Sequence, residues 1–387
     1  MPNPPGRSPS EPGNTDALHT VYVPGARRAP IAAPFLTVVQ GLTRTRSLPI
    51  TQEPLILGRD ASREFHLSDN EVSRSHCEVK LAAQGVVVRD LGSTNGTFVD
   101  GMRIAGETPL RNGALLQLGN HVLRCESLTP KEVQQQEQLT SDLDRARRYL
   151  LALIPEPIAT GPLRVEWAFE PSSVLGGDAL GYHTLDDGRL ALYVIDVCGH
   201  GIGPAMHSAS VVNVLRGSGL LGDESSEPAQ VLQRLNAAFG MESHSGMYFT
   251  IWYGVLDPKT RRLTYSSAGH PPALVRAADG SIRARLARRH PPIGVMEELT
   301  FTQTDAVLVA GERLYVFSDG AYEMPASDGR ELGLRDFERA LLDMPAAATP
   351  GEAKRILDRA RATNGGPGFD DDFTLLLLSC PTSSGSS

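Results

Sequence analysis

The chain has 387 residues, enough for two or three domains of ordinary size. Lys and Arg number 37 against 45 Asp and Glu, so the net charge of −8 argues against a protein built to bind nucleic acid. Its four cysteines form no Cys-x-x-Cys pair, which argues against a zinc ribbon and a disulfide scaffold. No stretch has the roughly 18 to 20 consecutive apolar residues of a membrane span, and no signal-peptide pattern is present. We therefore expect a cytoplasmic protein without a membrane span.

Both ends of the chain have the composition of segments that do not fold by themselves. Residues 1–33 are rich in Pro, Gly, Ser and Ala and lack apolar periodicity, so they cannot bury enough surface to offset chain entropy. We expect a flexible arm there and a similar tail over residues 382–387.

The region 34–127 has the pattern of an all-β domain. Short β-prone runs recur between turn signals at residues 35–39, 55–57, 77–81, 86–88, 115–118 and 122–125. Such spacing without intervening helices is typical of a β-sandwich.

A helical pattern follows over residues 128–155. An apolar seam steps by four and three residues through Leu139, Leu143, Ala146, Leu150 and Leu153. This is the heptad spacing of a coiled coil. Because the seam is so short, two alternatives stay open: a linker helix that packs on its own domain, and a helix that joins two copies of the chain in a homodimer.

The region 156–381 mixes strands and helices. Strands are predicted at residues 165–169, 190–197, 248–256, 263–267, 314–317 and 373–378, with helices at 202–215 and around Val231, Leu232, Leu235, Ala238 and Phe239. Hairpin signals appear at Asp187-Gly188 and Asp257-Pro258. Paired strands with grouped helices favour an α+β layered domain over a doubly wound parallel one.

The polar residues of the β-rich region are grouped in its turns. They occur as Gly58-Arg59, Ser73-Arg74-Ser75-His76 and Ser93-Thr94-Asn95-Gly96-Thr97. An Arg fork, hydroxyl groups and an amide on adjacent loops can hold a phosphate through charge-assisted hydrogen bonds.

These three motifs, in this order, resemble the forkhead-associated (FHA) domain. The resemblance implies an eleven-stranded sandwich that binds phosphothreonine peptides of partner proteins. The peptide-contacting positions of the family fall on Arg59, Ser73, Arg74, Thr94 and Asn95. His76 takes the position that braces the loops, so we expect a structural role for it.

Four short acidic stretches follow or adjoin apolar runs in the C-terminal region. They are Gly176-Gly177-Asp178, Asp196-Val197-Cys198-Gly199-His200-Gly201, Ser318-Asp319-Gly320 and Asp371-Asp372-Phe373-Thr374. Each can place a carboxylate at a strand end, and carboxylates brought together suit hard cations such as Mg²⁺ or Mn²⁺. A single Asp beside Gly is ordinary turn chemistry, whereas four such stretches in series indicate a metal site.

The order of these stretches resembles the metal-dependent PPM (type 2C) protein phosphatases, in the branch of sporulation and stress-response regulators. Ser267-Ala268-Gly269-His270-Pro271-Pro272 and Pro292-Ile293-Gly294-Val295 extend the match. The resemblance implies two stacked β-sheets flanked by helices, with a centre of two Mn²⁺ or Mg²⁺ ions at one edge.

The resemblance also assigns a role to each predicted ligand. Asp196 corresponds to the carboxylate that bridges both ions, and the backbone carbonyl of Val197 to a ligand of one of them. Asp319 and Asp371 correspond to ligands of the other ion. Asp178 matches the first acidic position, which binds metal directly or through water. We expect Asp196, Asp319 and Asp371 to be the catalytic set.

The expected chemistry is attack by a metal-activated water, because no Cys-x5-Arg loop or other nucleophile motif occurs in the chain. Cys198 is expected to be a packing residue, and His200 and His270 to make structural hydrogen bonds in Gly-rich turns. A basic cluster can attract a phosphoprotein or serve as a solvated loop; it comprises Arg283, Arg285, Arg288 and Arg289.

One position departs from the family pattern. Many relatives continue Gly-Gly-Asp-x-x-Asp, and here the sixth position is Gly181. The departure bears on metal affinity more than on activity, and a small residue at this position can also widen the site.

These observations together predict a serine/threonine phosphatase that acts on a phosphoprotein substrate and carries a phosphothreonine-binding domain. Two alternatives stay open. One is a signalling adaptor whose phosphatase fold has little activity; the other is a partner-switching regulator that dephosphorylates an anti-anti-sigma-like protein.

Overall fold

The structure is a computed structural model that describes residues 32–40, 47–67, 69–217, 225–241, 246–326, 329–364 and 368–381. Residues 1–31 of the predicted arm and the predicted tail over 382–387 lie outside this part of the chain. Among the described residues, no helix is both long and apolar enough to cross a membrane.

The N-terminal part is an all-β sandwich of eleven strands within the described residues. Its strands are β1 (Ala33–Gln40), β2 (Ser47–Pro49), β3 (Leu55–Gly58), β4 (Phe65–His66), β5 (Cys77–Ala82), β6 (Gly85–Asp90), β7 (Thr97–Val99), β8 (Met102–Arg103), β9 (Thr108–Pro109), β10 (Leu115–Leu118) and β11 (His121–Leu128). One sheet has six strands in the order β2-β1-β11-β10-β7-β8, and the other has five in the order β4-β3-β5-β6-β9. The predicted sandwich is confirmed.

The core of this sandwich follows from the alternation that predicted its strands. Leu36, Leu57, Val88, Leu116 and Leu123 have no exposed surface and pack between the two sheets. Five strands were not predicted, namely β2, β4, β7, β8 and β9. Each has only two or three residues, too few for an alternating pattern to appear, and each forms by pairing with a neighbour.

The C-terminal part contains ten strands and four helices within the described residues. Its strands are β12 (Arg164–Glu170), β13 (Ala179–Thr184), β14 (Leu190–Val197), β15 (Phe249–Leu256), β16 (Arg262–Ala268), β17 (Ala273–Arg276), β18 (Ile282–Leu286), β19 (Thr304–Val307), β20 (Arg313–Phe317) and β21 (Phe373–Ser379). Its helices are α2 (Ile202–Arg216), α3 (Pro228–Ala238), α4 (Leu334–Leu342) and α5 (Glu352–Thr363).

These elements form four layers. Two five-stranded sheets, β12-β21-β20-β17-β18 and β13-β14-β15-β16-β19, stack on a core that includes Leu192, Trp252, Val316 and Leu376. Helices α2 and α3 cover the second sheet, and α4 and α5 cover the first. Burial of β14 and β21 on both faces explains their continuous apolar runs. The predicted α+β layered fold is confirmed.

The linker helix α1 (Pro130–Ala152) begins and ends close to its predicted bounds. Thr129 and Glu132 form a capping box, which fixes its start. Its C-terminal end packs on the C-terminal part of the chain, because Leu153 contacts the core beneath α2. Leu139, near its middle, is 56% exposed. The apolar seam therefore has one packed end and one open end.

Candidate functional site

Four aspartates lie at strand ends that meet at one edge of the C-terminal sandwich. Asp196 is the last residue but one of β14, Asp319 follows β20, and Asp371 and Asp178 lie just before β21 and β13. β14 contacts β20 and β21 across the sandwich, and β13 contacts β21. The structure thus places all four predicted carboxylates in one region, with the backbone of Val197 beside Asp196.

The carboxyl groups of this region repel one another. Burial, followed by the charges of Asp319 and Asp371, raises the pKa of Asp196 to about 7. Burial and the neighbouring Asp196 raise the pKa of Asp178 well above its ordinary value. The pKa values of Asp319 and Asp371 are also raised, mainly by burial, although Asp371 lies at the exposed rim. A cation would relieve this repulsion, because buried like charges without a partner are costly.

The donors of this region fit Mg²⁺ or Mn²⁺, which prefer carboxylate and carbonyl oxygen. In the part of the chain that the structure describes, no three His, Cys, Asp or Glu side chains form a ready-made ion cage. The aspartates are nevertheless close enough for Asp178, Asp319 and Asp371 to influence the pKa of Asp196.

Hydroxyl groups and backbone amides hold the acidic segments in place. Thr374 Oγ1 donates a hydrogen bond of 2.5 Å to Asp178 Oδ2. The carboxylate of Asp372 is only 2% exposed and accepts from Ser172 N, Ser172 Oγ and Asp178 N at 2.7, 2.9 and 3.2 Å. Ser318 Oγ donates to the backbone carbonyl of Asp372 at 3.0 Å. Asp372 thus supports the site, while its neighbour Asp371 faces outward.

The sequence indicated some of these supporting residues and missed others. Thr374 and Ser318 lie inside the quoted motifs, although no role was assigned to them. Ser172 was missed, because a lone Ser before a turn carries no pattern. The backbone at Asp372 passes so close to residue 320 that only Gly fits there, since a Cβ on Gly320 would lie 2.3 Å from the Asp372 carbonyl oxygen.

Gly181 lies away from the carboxylates. It pairs with Tyr193 across β13 and β14, and a Cβ on Gly181 would lie 2.4 Å from Tyr193 Oη. The space beside Gly181 is filled by the Tyr193 ring, so the suggestion that Gly181 widens the site is wrong.

The other candidate side chains have mostly structural partners. His270 shares a hydrogen bond of 2.6 Å with Thr250 Oγ1, and burial lowers the pKa of His270 to about 3. His200 lies exposed near Asp371 and helps to lower the pKa of that carboxyl. Cys198 Sγ accepts from Tyr248 N at 3.4 Å.

The basic cluster divides into separate contacts. Arg283 donates to Glu312 at 2.9 Å, and Arg285 makes a two-pronged contact with Glu338 at 2.5 and 2.6 Å. Arg288 donates to Thr302. These three Arg side chains are thus engaged by neighbouring residues of the chain, and Arg283 and Arg285 lie in β18 rather than in a loop.

In the N-terminal sandwich, the predicted phosphate-binding residues lie on three adjacent loops. Ser73 Oγ accepts from Thr94 N at 3.1 Å and lies 3.5 Å from Thr94 Oγ1. Arg59 N donates to the Ser73 carbonyl at 2.9 Å, so the first two loops are joined through the backbone. Arg59, Arg74, Thr94 and Asn95 are exposed, as contact with a peptide requires.

Three further residues organise these loops. His76 has no exposed surface; its Nδ1 accepts from Ser73 N, and its Nε2 lies 3.1 Å from the Gly96 carbonyl. It therefore braces two loops, as expected. Asn70 Oδ1 accepts from Arg59 Nη1 at 2.9 Å, and the Glu71 carbonyl accepts from Asn95 Nδ2 at 2.8 Å. Asn70 and Glu71 were missed because they lie just before the quoted motif.

Comparison with known families agrees with both halves of this description. The family model for stage II sporulation protein E (SpoIIE) matches residues 186–381, and the FHA-domain model matches residues 55–119.

Two curated relatives from Bacillus subtilis strain 168 match the C-terminal part. Phosphoserine phosphatase RsbP is 30% identical over 187 residues, which cover 48% of this chain and 46% of RsbP. Phosphoserine phosphatase RsbU is 26% identical over 209 residues, which cover 54% of this chain and 60% of RsbU. The chain therefore spans less than two thirds of the length of either relative.

A solved structure with a similar fold is the SiaA-PP2C domain of Pseudomonas aeruginosa. The TM-score is 0.54 at 19% sequence identity, and the match covers 63% of this chain and 98% of that domain. The C-terminal part thus has the fold of a PP2C phosphatase domain.

Proposed function

This chain belongs to the stage II sporulation protein E (SpoIIE) family, and from that premise we propose that it is a metal-dependent protein serine/threonine phosphatase whose FHA domain binds phosphothreonine partners. Phosphatases of this family depend on metal ions. The observation that carries the proposal is the group of aspartates that raise one another's pKa at the edge of the sandwich. Such a group is poorly suited to a purely structural role, because several partly buried carboxyl groups raise one another's pKa and a bound cation would offset their repulsion.

The residues have distinct tasks in this proposal. Asp196 would hold both ions, the Val197 carbonyl would be a ligand of one and Asp319 and Asp371 ligands of the other, and Asp178 would bind metal directly or through water. When bound, Mn²⁺ or Mg²⁺ would supply an activated water and charge neutralisation for the phosphate oxygens. Thr374 keeps the Asp178 carboxylate oriented. Asp371, at the rim, is placed where an ion can enter from solvent.

The test is release of inorganic phosphate from a phosphoserine peptide by the full chain, with Mn²⁺ titrated from zero. We expect release to require Mn²⁺ and to fall by about 10³-fold or more in Asp196→Ala, because that variant lacks the carboxylate that would hold both ions. Asp257→Ala is a matched control, because Asp257 lies in the turn after β15. Metal-independent release, or full activity in Asp196→Ala, would contradict the proposal.

The phosphothreonine site is proposed on Arg59, Ser73, Arg74, Thr94 and Asn95. Its support is the contact of Ser73 with Thr94 and the exposed guanidinium of Arg59 held by Asn70. A charged fork, a hydroxyl and an amide around one point suit a phosphate dianion. Calorimetric titration with a phosphothreonine peptide should show binding that is lost in Arg59→Ala and absent for the same peptide with unmodified Thr.

The inactive-adaptor alternative rests on the acid that is missing at Gly181, whereas the four retained aspartates favour an active enzyme. The partner-switching alternative also requires hydrolysis of phosphoserine, which agrees with the similarity to RsbP and RsbU, both named phosphoserine phosphatases. Under that alternative the enzyme and its site are the same, and the FHA domain senses the input signal. A phosphoserine-bearing anti-anti-sigma-like protein as the preferred substrate would distinguish it.

A further inference from the structure

Eight large apolar side chains of the described C-terminal part are between 37% and 66% exposed, and five of them lie on three neighbouring segments. We call their surface the apolar rim; it comprises Ile202, Met206, Tyr248, Val295 and Met296. Scattered apolar residues on a surface need no explanation, whereas a contiguous exposed patch marks an interaction site.

The members of the apolar rim lie on segments that touch one another. Ile202 and Met206 are four residues apart in α2 and share one face of the helix. The Sδ of Met247 lies 4.0 Å from the position that a Cβ on Gly203 would take, so the segment before β15 contacts the first turn of α2.

The third segment of the rim joins through a β-bridge. Phe249 pairs with Ile293 in antiparallel orientation, so Tyr248 and Val295 come from segments that run side by side. The Asn236 amide holds the Met296 carbonyl at 2.8 Å, which fixes this segment against α3. The rim residues thus lie on three ordered segments that contact one another through Gly203 and Met247 and through Phe249 and Ile293.

The apolar rim borders the aspartate centre. Asp196 pairs with Thr250 across β14 and β15, and Cys198, two residues after Asp196, exchanges hydrogen bonds with Tyr248. α2 begins six residues after Asp196. A phosphorylated residue that reaches the centre carries its sequence neighbours with it at about 3.3 to 3.6 Å per residue, so those neighbours pass over the surface beside the centre.

We propose that the apolar rim is the docking surface for the phosphoprotein substrate, which covers it with an apolar segment next to the phosphorylated residue. The inference rests on the proposed phosphatase function and adds a substrate class to it. The carboxylate centre recognises only phosphate and cations, so selection among phosphoproteins requires a second contact. Met and Ile side chains supply it, because they gain free energy from burial and adapt to the shape of a partner.

The test compares two synthetic phosphoserine peptides of equal length and charge. One carries Leu residues at the positions flanking phosphoserine, and the other carries Gln there. With the full chain and Mn²⁺, we expect kcat/KM to be about tenfold higher for the Leu peptide, the discrimination that contact with a few methylene groups supplies. In Met206→Glu the ratio of the two kcat/KM values should fall to about one, while Met206→Leu should keep the ratio of the wild-type chain.

Val309→Glu is the matched control. Val309 is 53% exposed and lies before the start of β20, whereas Asp319 follows the end of that strand, so Val309 is at the end away from the aspartates. It should keep the peptide preference. Equal turnover of both peptides by the wild-type chain, or an unchanged ratio in Met206→Glu, would overturn the docking proposal. So would loss of a dimer in Met206→Glu by sedimentation, which would assign the rim to a second copy of the chain. Failure of the phosphatase function itself is separate, since the wild-type chain would then release no phosphate from either peptide.

Discussion

Thr374 is the residue whose contact with the site is shortest and most easily tested. Its hydroxyl donates to Asp178 at 2.5 Å inside the sandwich, where water does not replace a lost bond. Thr374→Val removes this hydroxyl and leaves Ser318 as the remaining hydroxyl partner of the Asp178 carboxyl. Loss of a partner that orients a metal ligand typically costs 10- to 100-fold in metal affinity, so we expect Mn²⁺ affinity to fall by about tenfold.

Calorimetric titration with Mn²⁺ checks this, and Thr374→Ser is the control, since it retains a hydroxyl donor. Equal Mn²⁺ affinities for Thr374→Val and the wild-type chain would show that the bond to Asp178 does not position a ligand.

Gly181 and Tyr193 form a complementary pair across β13 and β14. Among the described residues the buried Tyr193 hydroxyl has no hydrogen-bond partner, and a Cβ on Gly181 would clash with it. Gly181→Ala should lower the free energy of unfolding by about 1 to 3 kcal/mol, the usual cost of overpacking. The cost should be smaller in a Tyr193→Phe background, which removes the clashing oxygen. Urea denaturation of the four proteins measures this cycle, and an equal cost in both backgrounds would refute the pairing.

His270 gives the molecule a defined acid sensitivity. Burial lowers its pKa from 6.5 to about 3, so the folded chain keeps the ring neutral while the unfolded chain takes up a proton below pH 6.5. Stability from this group is therefore complete above pH 6.5 and is lost as the pH falls toward 3.

Between pH 6.5 and 5.5 the loss amounts to about 1 kcal/mol, from 1.36 kcal/mol per pKa unit. His270→Gln keeps a hydrogen-bonding side chain and does not titrate. We expect the difference in unfolding free energy between the wild-type chain and His270→Gln to shrink by that amount over this range. Parallel curves from urea denaturation at the two pH values would show that His270 is protonated in the folded state.

At the scale of elements, the two ends of the apolar seam of α1 should respond differently when their Leu side chains are shortened to Ala. Leu153 packs against the core beneath α2, whereas Leu139 is mostly exposed. Leu153→Ala should lower the free energy of unfolding by about 1 to 2 kcal/mol, below the 2 to 5 typical of fully buried Leu. Leu139→Ala should change it by less than about 0.5 kcal/mol.

Denaturation at several protein concentrations also decides between the two interpretations of the α1 seam. A loss in Leu139→Ala that grows with protein concentration would indicate a dimer through α1. The homodimer predicted from the heptad spacing stays a prediction until that measurement.

Elements with strong local patterns could be predicted from the sequence, and elements defined by their neighbours could not. β14 and β21 are long apolar runs, and α1 has a capping residue and a clear start, so their bounds were predicted closely. β13 contains Gly181 and His183 and begins directly after Asp178, so no apolar alternation marks it. β8 consists of two exposed residues and exists only through its pairing with β7.

The candidate site divides in the same way. The aspartates could be found because each lies in a short acidic stretch that follows or adjoins an apolar run. Their supports could not all be found, because the contacts join distant parts of the chain: Ser172 and Asp372 are 200 residues apart in sequence and 2.7 Å apart in space. Asn70 meets Arg59 only because two loops of the sandwich face each other.

At the scale of the whole molecule, the FHA domain and the phosphatase domain should act on one phosphoprotein together. A partner held by its phosphothreonine presents a nearby phosphoserine at an effective concentration that reaches millimolar for short flexible tethers. We therefore expect KM for a peptide carrying both phosphates to be at least about tenfold lower than for the same peptide with unmodified Thr.

Arg59→Ala should remove this gain, because the guanidinium of Arg59 is the charged fork of the phosphothreonine site. It should leave turnover of a small aryl phosphate intact, since that substrate makes no contact with the N-terminal sandwich. Arg111→Ala is the matched control; it removes the same charge from another exposed position of the sandwich and should keep the gain. Equal losses on the doubly phosphorylated peptide and on the aryl phosphate would mean that Arg59 supports folding of the chain, and the two domains would then have to be treated as independent.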